Sequence, residues 1–315
     1  MTVDIDELHG LVANETRMRI MQVLWDEFDF ERYVIEEQEA VPFSTLRERA
    51  RVDDSGNFNY HLSQLADTLV ENFEDGYVLT PLGYNLMQSI ERYATFEYET
   101  REEWTVDDSC PFCGGALTAR YRREMLEVRC TDCGGLADGG HFTFAQLSST
   151  GTRDLSAPEF LDAATQVMGS KIRSSMYGSC WNCHARMDIE FHVCGDHDAG
   201  FDGTCPECTH RYRSKVDVSC PSCGTAGHGP VLEYAILSPV VGSFFNDAGH
   251  GPTQMGPWQY RLTALGAATE AVVSTDPLAV EVTFEFREHR LQVVVEEDLS
   301  GITVSRDLDS GSGGG

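Results

Sequence analysis

The chain has 315 residues, with 23 Lys plus Arg against 51 Asp plus Glu and a formal net charge of −28. This length accommodates two or three domains. Because no run of about 18 apolar residues occurs and the acidic start lacks the basic region of a signal peptide, we expect a cytoplasmic protein without a membrane span.

Lysine is almost absent, since Lys171 and Lys215 are the only two in the chain. An acid excess with so few lysines predicts a halophilic protein. In molar salt the Debye length is about 3 Å, so acidic side chains repel one another only weakly. An acidic chain that works in ordinary salt is the alternative.

Residues 43–69 predict a helix-turn-helix. A short helix around Leu46 precedes the break Asp-Asp-Ser-Gly at residues 53–56, and a second helix follows. The apolar side of this second helix consists of Phe58, Leu62, Leu65 and Leu69. We expect the second helix to be the recognition helix.

The next segment predicts a hairpin and a long helix. Asp75 and Gly76 lie between two short β-prone runs in residues 70–80, and the hairpin would form a wing. Pro81 then begins a helix that we expect to continue to about Trp104. Its apolar stripe is longer than one small module needs, which favours a homodimer.

The polar face of the second helix supplies candidate DNA-binding residues. Asn and Gln side chains can read adenine edges, and Tyr can hold phosphates. The candidates on the helix are Asn57, Asn59, Tyr60, His61 and Gln64. The candidate phosphate contacts just before the turn are Arg47, Arg49 and Arg51. The alternative is a solvated face, which any amphipathic helix has.

The strings ANETRMRIMQVL, STLRERARVDDSGNFNYHLSQL and EDGYVLTPLG resemble the winged-helix domain of ArsR-type transcriptional regulators. The D-S-G-x-F-N-Y-H-L string at residues 54–62 is similar to the form found in halophilic archaea. The resemblance covers residues 8–95 and implies a dimer that binds double-stranded DNA sequence-specifically. Two features depart from it: the module lacks metal-sensing cysteines, and it is acidic whereas most DNA binders are basic.

Ten of the eleven cysteines form five C-x-x-C pairs. The pairs are Cys110/Cys113, Cys130/Cys133, Cys180/Cys183, Cys205/Cys208 and Cys220/Cys223. Two such pairs complete a tetrahedral Zn²⁺ site. The first two pairs flank a spacer that can form a hairpin, and they resemble a zinc ribbon. Reduced redox motifs are the alternative, but no thioredoxin-like pattern surrounds them.

The ligand pairing beyond residue 179 stays open. Two sequential sites would join Cys180/Cys183 to Cys194 and His197, and Cys205/Cys208 to Cys220/Cys223. A rival ribbon would join Cys180/Cys183 to Cys205/Cys208, and a cross-braced arrangement is a third possibility. His197 is equally explained as a surface histidine. We expect two to three structural Zn²⁺ in all.

The whole chain is predicted to be an α+β multidomain protein. The predicted segments are a winged helix-turn-helix at 1–104, a zinc ribbon at 105–150, a helical spacer at 151–178, a second zinc-knuckle module at 179–228, a small α+β domain with an antiparallel sheet at 229–308 and a flexible tail at 309–315.

The sequence favours a transcription regulator that binds DNA and, as a further partner, the transcription machinery. Fully cysteine-ligated metal leaves no open position for a water, and no nucleophile–base pair or phosphate loop is evident, so we expect no enzyme activity. The alternative is an interaction protein that resembles archaeal transcription factor E, which contacts polymerase without reading DNA sequence.

Overall fold

The computed structural model describes residues 5–30, 38–94, 99–199, 203–297, 299 and 302–305. The chain divides into two compact units, Met1–Glu97 and Tyr98–Gly315. Helices and several small antiparallel sheets occur together, which confirms the predicted α+β class. No described helix is long and apolar enough to cross a membrane. The tail predicted at 309–315 lies outside the described residues.

The first unit consists of five helices and one hairpin among its described residues. Its elements are α1 (Ile5–Val12), α2 (Glu15–Asp26), α3 (Phe43–Arg49), α4 (Ser55–Leu65), β1 (Val70–Phe73), β2 (Gly76–Leu79) and α5 (Pro81–Ala94). Asp54 caps α4 by accepting a 2.5 Å hydrogen bond from Asn57 N. Phe58, Leu62 and Leu65 are buried against α2 and α3, so α4 keeps one apolar and one polar side.

The hairpin is attached to the segment before α3. Val41 and Tyr77 exchange two backbone hydrogen bonds of 2.9 and 3.0 Å. Gly76 has a φ of 152°, and a Cβ there would lie 2.4 Å from Val41 O. Only glycine therefore allows this close approach of the two backbones.

The helix predicted from Pro81 to Trp104 is wrong in its second half. Helix α5 ends at Ala94, and Trp104 lies in strand β3 of the second unit. The sequence places residues 101–104 in the front module because no helix breaker precedes them. In β3, however, Trp104 turns inward and packs edge-on against Phe160, with 6.1 Å between ring centroids. The long apolar stripe that favoured a dimer is correspondingly shorter.

The second unit contains three sheets and four helices among its described residues. Its elements are β3 (Arg101–Ser109), β4 (Ala116–Arg122), β5 (Met125–Cys130), β6 (His141–Gln146), α6 (Ala157–Met176), β7 (Asp188–Val193), β8 (Ser214–Ser219), β9 (Ala226–Pro230), α7 (Val231–Ile236), α8 (Pro239–Asp247), α9 (Pro257–Ala267), β10 (Ala268–Thr275), β11 (Leu278–Phe286), β12 (His289–Glu296) and β13 (Ile302–Ser305). Each sheet is an antiparallel meander in chain order. We call β3–β6 the first sheet, β7–β9 the second and β10–β13 the third.

One apolar core joins the segments that the sequence predicted as separate modules. Leu117 of the first sheet, Val216 of the second, Phe284 of the third and Phe160 of α6 are all buried in it. Helix α6 begins with a capping box of Ser156 and Glu159. It packs against α9, so the predicted spacer is part of the core. Strand β10 is an unpredicted addition to the third sheet and pairs with β11.

A buried ion pair connects α7, α9 and the first sheet. Arg261 Nη2 lies 2.6 Å from Glu233 Oε1, and both side chains are at most 6% exposed. Arg261 also donates to Thr143 Oγ1 at 3.0 Å and to the Phe142 carbonyl at 2.8 Å. These bonds satisfy a charge that would otherwise be costly to bury.

Removal of one partner of this pair should destabilise the second unit strongly. Arg261→Ala leaves Glu233 buried without its cation, and we expect a loss of about 3–5 kcal/mol in the free energy of unfolding. Urea titration in high salt measures it. Arg290→Ala, which removes an exposed pair with Glu285, is the control and should cost about 0–1 kcal/mol. Equal effects of the two variants would contradict a structural role for the buried pair.

Candidate metal centres

Three groups of four potential ligands come together in the second unit. Within each group the candidate ligand atoms all lie within 4.8 Å of one another. Cluster 1 is Cys110, Cys113, Cys130 and Cys133; cluster 2 is Cys180, Cys183, Cys220 and Cys223; cluster 3 is Cys194, His197, Cys205 and Cys208. All twelve residues predicted as ligands from the sequence therefore lie in a cluster.

Cluster 1 lies at one end of the first sheet. The β4–β5 hairpin carries Cys130 back to the knuckle that begins at Cys110, as the spacer predicted. Cys113 Sγ and Cys130 Sγ are 3.5 Å apart, and Cys110 Sγ and Cys133 Sγ are 3.7 Å apart. Each of the four sulfurs accepts one backbone N–H bond of 3.4–3.5 Å. Such donors stabilise negative charge on the sulfurs.

Four of the knuckles share one backbone conformation. In each, the residue after the second cysteine donates to the first cysteine's carbonyl, as in the 2.9 Å bond from Gly114 N to Cys110 O. That residue has a positive φ in every case. The four residues are Gly114 (73°), His184 (62°), Thr209 (59°) and Gly224 (72°). His184 and Thr209 adopt a left-handed backbone conformation that residues other than glycine rarely adopt. The surrounding structure must therefore stabilise the backbone of these two knuckles.

The pairing in clusters 2 and 3 is nested, and none of the three predicted arrangements is correct. The outer pairs Cys180/Cys183 and Cys220/Cys223 meet in cluster 2, while the inner ligands meet in cluster 3. The cause is the antiparallel ladder between β7 and β8. It pairs Asp188 with Ser219 at one end and Val193 with Ser214 at the other. A ladder of six pairs is roughly 17 Å long, which separates the two clusters.

His197 is oriented for metal binding, which favours the ligand role over the surface alternative. Its Nδ1 lies 3.5 Å from Cys208 Sγ, and its Nε2 lies 3.1 Å from the Arg211 carbonyl. An Nε2–H that donates to this carbonyl leaves the Nδ1 lone pair for a metal. Backbone carbonyls commonly fix ligating histidines in this way.

Local hydrogen bonds shift the acidity of individual thiols. The Thr225 hydroxyl, 3.1 Å from Cys223 Sγ, lowers the pKa of that thiol to about 6. The Cys208 backbone N–H lowers the pKa of Cys205 to about 7. Burial instead raises the pKa of Cys110 and raises that of Cys194 to about 11. A bound cation would deprotonate the remaining thiols and release their protons.

Clusters 1 and 3 are physically joined. Arg211 Nε donates to Gly135 O at 2.6 Å, and its guanidinium lies 4.1 Å from the centre of the Phe112 ring. Asp138 N donates to Thr209 O at 2.7 Å. The first sheet and the cluster 3 loop thus form one framework.

The donor sets are compatible with zinc. Two sets of four sulfurs and one set of three sulfurs plus an imidazole match the soft, four-ligand sites that Zn²⁺ prefers. Each set could surround the ion without a water. A metal held in this way would cross-link strands.

The predicted DNA-binding residues lie in the first unit and differ in accessibility. Asn57, Asn59, Tyr60 and Gln64 are exposed on α4, with Tyr60 at 57%. His61 is half-buried, contrary to its predicted place on the exposed face. Its Nδ1 has no hydrogen-bond partner among the described residues. Burial, and secondarily the charge of Arg17, lower the pKa of His61, so we expect it to be neutral.

The arginines before the turn are also unequal. Arg51 is exposed with a φ of 58°, and Arg47 is half-buried. Arg49 forms an ion pair with Glu27. A phosphate would have to compete with this carboxylate for the Arg49 guanidinium. No sequence pattern indicates the pairing, because the two residues are far apart along the chain.

Two family models match the chain. A model described as domain of unknown function DUF7351 matches residues 107–300 and so covers more than half of the chain. The chain belongs to the DUF7351 family. A second model, described as domain of unknown function DUF7347, matches residues 5–90. No curated protein and no solved structure matches the chain. The DUF7351 match contains all three clusters, whereas the DUF7347 match lies within the first unit.

Double substitutions can test the nested pairing in the DUF7351 segment. Cys180→Ser and Cys220→Ser remove ligands of one cluster, so together they should lower the metal content by about one ion per chain, no more than either alone. Cys180→Ser with Cys205→Ser should lower it by about two. Native mass spectrometry counts the ions. A loss of two ions in the first double variant would instead indicate sequential or cross-braced sites.

Proposed function

We propose that the three clusters each bind one structural Zn²⁺. The closed four-ligand sets support this assignment, as do the N–H donors to the cluster 1 sulfurs and the oriented His197. The ligands of each cluster come from segments far apart along the chain, so a bound metal would cross-link them. In this role the ligands hold strand ends together and take no part in a reaction.

The zinc assignment predicts about three Zn²⁺ per chain after purification in high salt without added metal. Elemental analysis measures the content. Cys110→Ser should lower it by about one and destabilise the first sheet, while the helical circular dichroism of the first unit persists. A content below one zinc per chain in the unaltered protein would refute the assignment.

We further propose that the protein is a sequence-specific, DNA-binding transcription regulator whose first unit is a winged helix of the ArsR type. The observation that carries the proposal is the polar side of α4. It presents Asn57, Tyr60 and Gln64 to solvent while Phe58 and Leu62 hold the helix in the core. The order α3, α4, hairpin, α5 supports the winged-helix assignment. A homodimer is part of the proposal, because the ArsR resemblance implies one.

Charge makes base contacts more important than phosphate contacts in this proposal. The chain carries −28, Arg49 is paired with Glu27, and the hairpin loop contains Glu74 and Asp75. Phosphate contacts also weaken steeply with salt. Hydrogen bonds to base edges are short-ranged and survive in molar salt better than long-range attraction does.

Replacement of Gln64 should therefore reduce sequence preference. In molar KCl, Gln64→Ala should cost roughly 1–3 kcal/mol on a duplex selected from a random library, and little on scrambled duplex. Asn57→Ala and Tyr60→Ala should act in the same direction. Fluorescence anisotropy titrations measure the affinity for both duplexes.

The matched control is Gln88→Ala, which removes an exposed glutamine on α5 of the same unit. It should leave both affinities unchanged. If the variants at 57, 60 and 64 keep full preference for the selected duplex, α4 is not a reader. The function would then be that of a transcription-factor-E-like interaction protein, which the acidic hairpin loop also favours.

A further inference from the structure

The outer face of the first sheet is built differently from its inner face. Leu117, Ala119 and Tyr121 of β4 point into the core, and Leu126 and Val128 of β5 do the same. The alternate residues lie on the opposite, outer side of the sheet. Arg120, Glu127 and Phe144 lie side by side there, because β4, β5 and β6 pair them in register.

A single carboxylate organises the cations of this face. Glu127 pairs with Arg120 Nε, with Arg129 Nε at 3.7 Å and with His141 Nδ1 at 3.2 Å. The Glu127 side chain is only 7% exposed, whereas those of Arg120 and Arg129 are 47% and 41% exposed. One buried anion thus fixes two exposed guanidiniums and leaves an excess of positive charge.

More cations lie at the hairpin end of the face. Arg122 and Arg123 are exposed there, and neither forms an ion pair among the described residues. The opposite end, near cluster 1, carries acidic Glu103, Asp132 and Asp138 instead. In a chain of net charge −28, such a local concentration of cations indicates an anionic partner.

An aromatic ring stands beside these cations. Phe144 is 66% exposed, which makes it one of the most exposed large apolar side chains among the described residues. Strand alternation turns Phe144 outward, since the neighbouring Thr143 and Ala145 are buried, but it does not require an aromatic residue there. Aromatic rings next to arginines form the platforms on which unpaired nucleobases stack.

We propose that this face binds single-stranded nucleic acid. A base stacks on Phe144, and the flanking phosphates contact Arg120, Arg122 and Arg123. An unpaired base is required because the base faces in a duplex are already stacked. An acidic peptide would use the arginines but would gain little from the ring. The binding lies wholly in the second unit and does not depend on α4 as a reader.

The test uses the full-length protein and a labelled 12-nucleotide oligo-dT, titrated by fluorescence anisotropy from 0.2 to 2 M KCl. Phe144→Ala should weaken binding about tenfold at every salt concentration, since stacking depends little on salt. Phe144→Trp should retain it. Arg122→Gln with Arg123→Gln should make the slope of log affinity against log salt shallower by about 1.4, or roughly 0.7 per lost phosphate contact.

Three controls distinguish binding at this face from binding elsewhere on the chain and from misfolding. Tyr177→Ala removes an 87% exposed ring of the same unit and should have no effect. Gln64→Ala in the first unit should also leave oligo-dT binding unchanged, even if it abolishes duplex preference. Unaltered metal content shows that the Phe144 variant is folded.

Three results would overturn the proposal. One is full oligo-dT affinity in Phe144→Ala. Another is the absence of micromolar binding by the unaltered chain at 0.2 M KCl. Displacement of the oligonucleotide by poly-glutamate at equal charge would likewise overturn it, in favour of an acidic protein partner.

Discussion

The antiparallel ladder between β7 and β8 is the constraint on which the cysteine-rich part of this protein depends. Because the ladder brings Asp188 to Ser219 and Val193 to Ser214, the cysteines outside it converge at one end and those inside it at the other. The ligand sets of clusters 2 and 3 follow from this strand pairing alone. In the first sheet, likewise, the β4–β5 hairpin brings the cysteines of cluster 1 together. Metal would therefore stabilise strand ends that the backbone has already brought together.

Buried polar links make these elements one body. Arg261 bonds to Glu233 and to the first sheet, and Arg211 bonds from the cluster 3 loop to Gly135 beside cluster 1. An ion pair of this kind contributes little net stability compared with apolar packing, but it is costly to break, so it favours one arrangement of the sheets. A rigid framework suits an interaction surface, because the side chains that bind a partner are already ordered.

Local patterns predicted the elements well, whereas contacts between distant residues escaped prediction. The break at residues 53–56 and the period of Phe58, Leu62 and Leu65 located α4, and an antiparallel sheet was expected within residues 229–308. Spacing indicated all twelve members of the three clusters but could not group them, since that required the register of β7 on β8. The end of α5 was missed because no helix breaker precedes residues 101–104. No local sequence pattern indicates the ion pairs of Arg49 and Arg261, because their partners are distant along the chain.

The acidity of the chain gives a common reason for the form of both proposed nucleic-acid surfaces. A surface that relied on phosphates alone would lose affinity steeply in molar salt, and it would also have to overcome a chain charge of −28. Asn57 and Gln64 on α4 and Phe144 on the first sheet offer hydrogen bonding and stacking instead, which act at contact distance. The few arginines nearby then serve to position the partner. On this reasoning, an acidic protein recognises nucleic acid mainly through short-range contacts and less through long-range charge attraction. The exposed amides of α4 and the exposed ring of Phe144 would make those contacts.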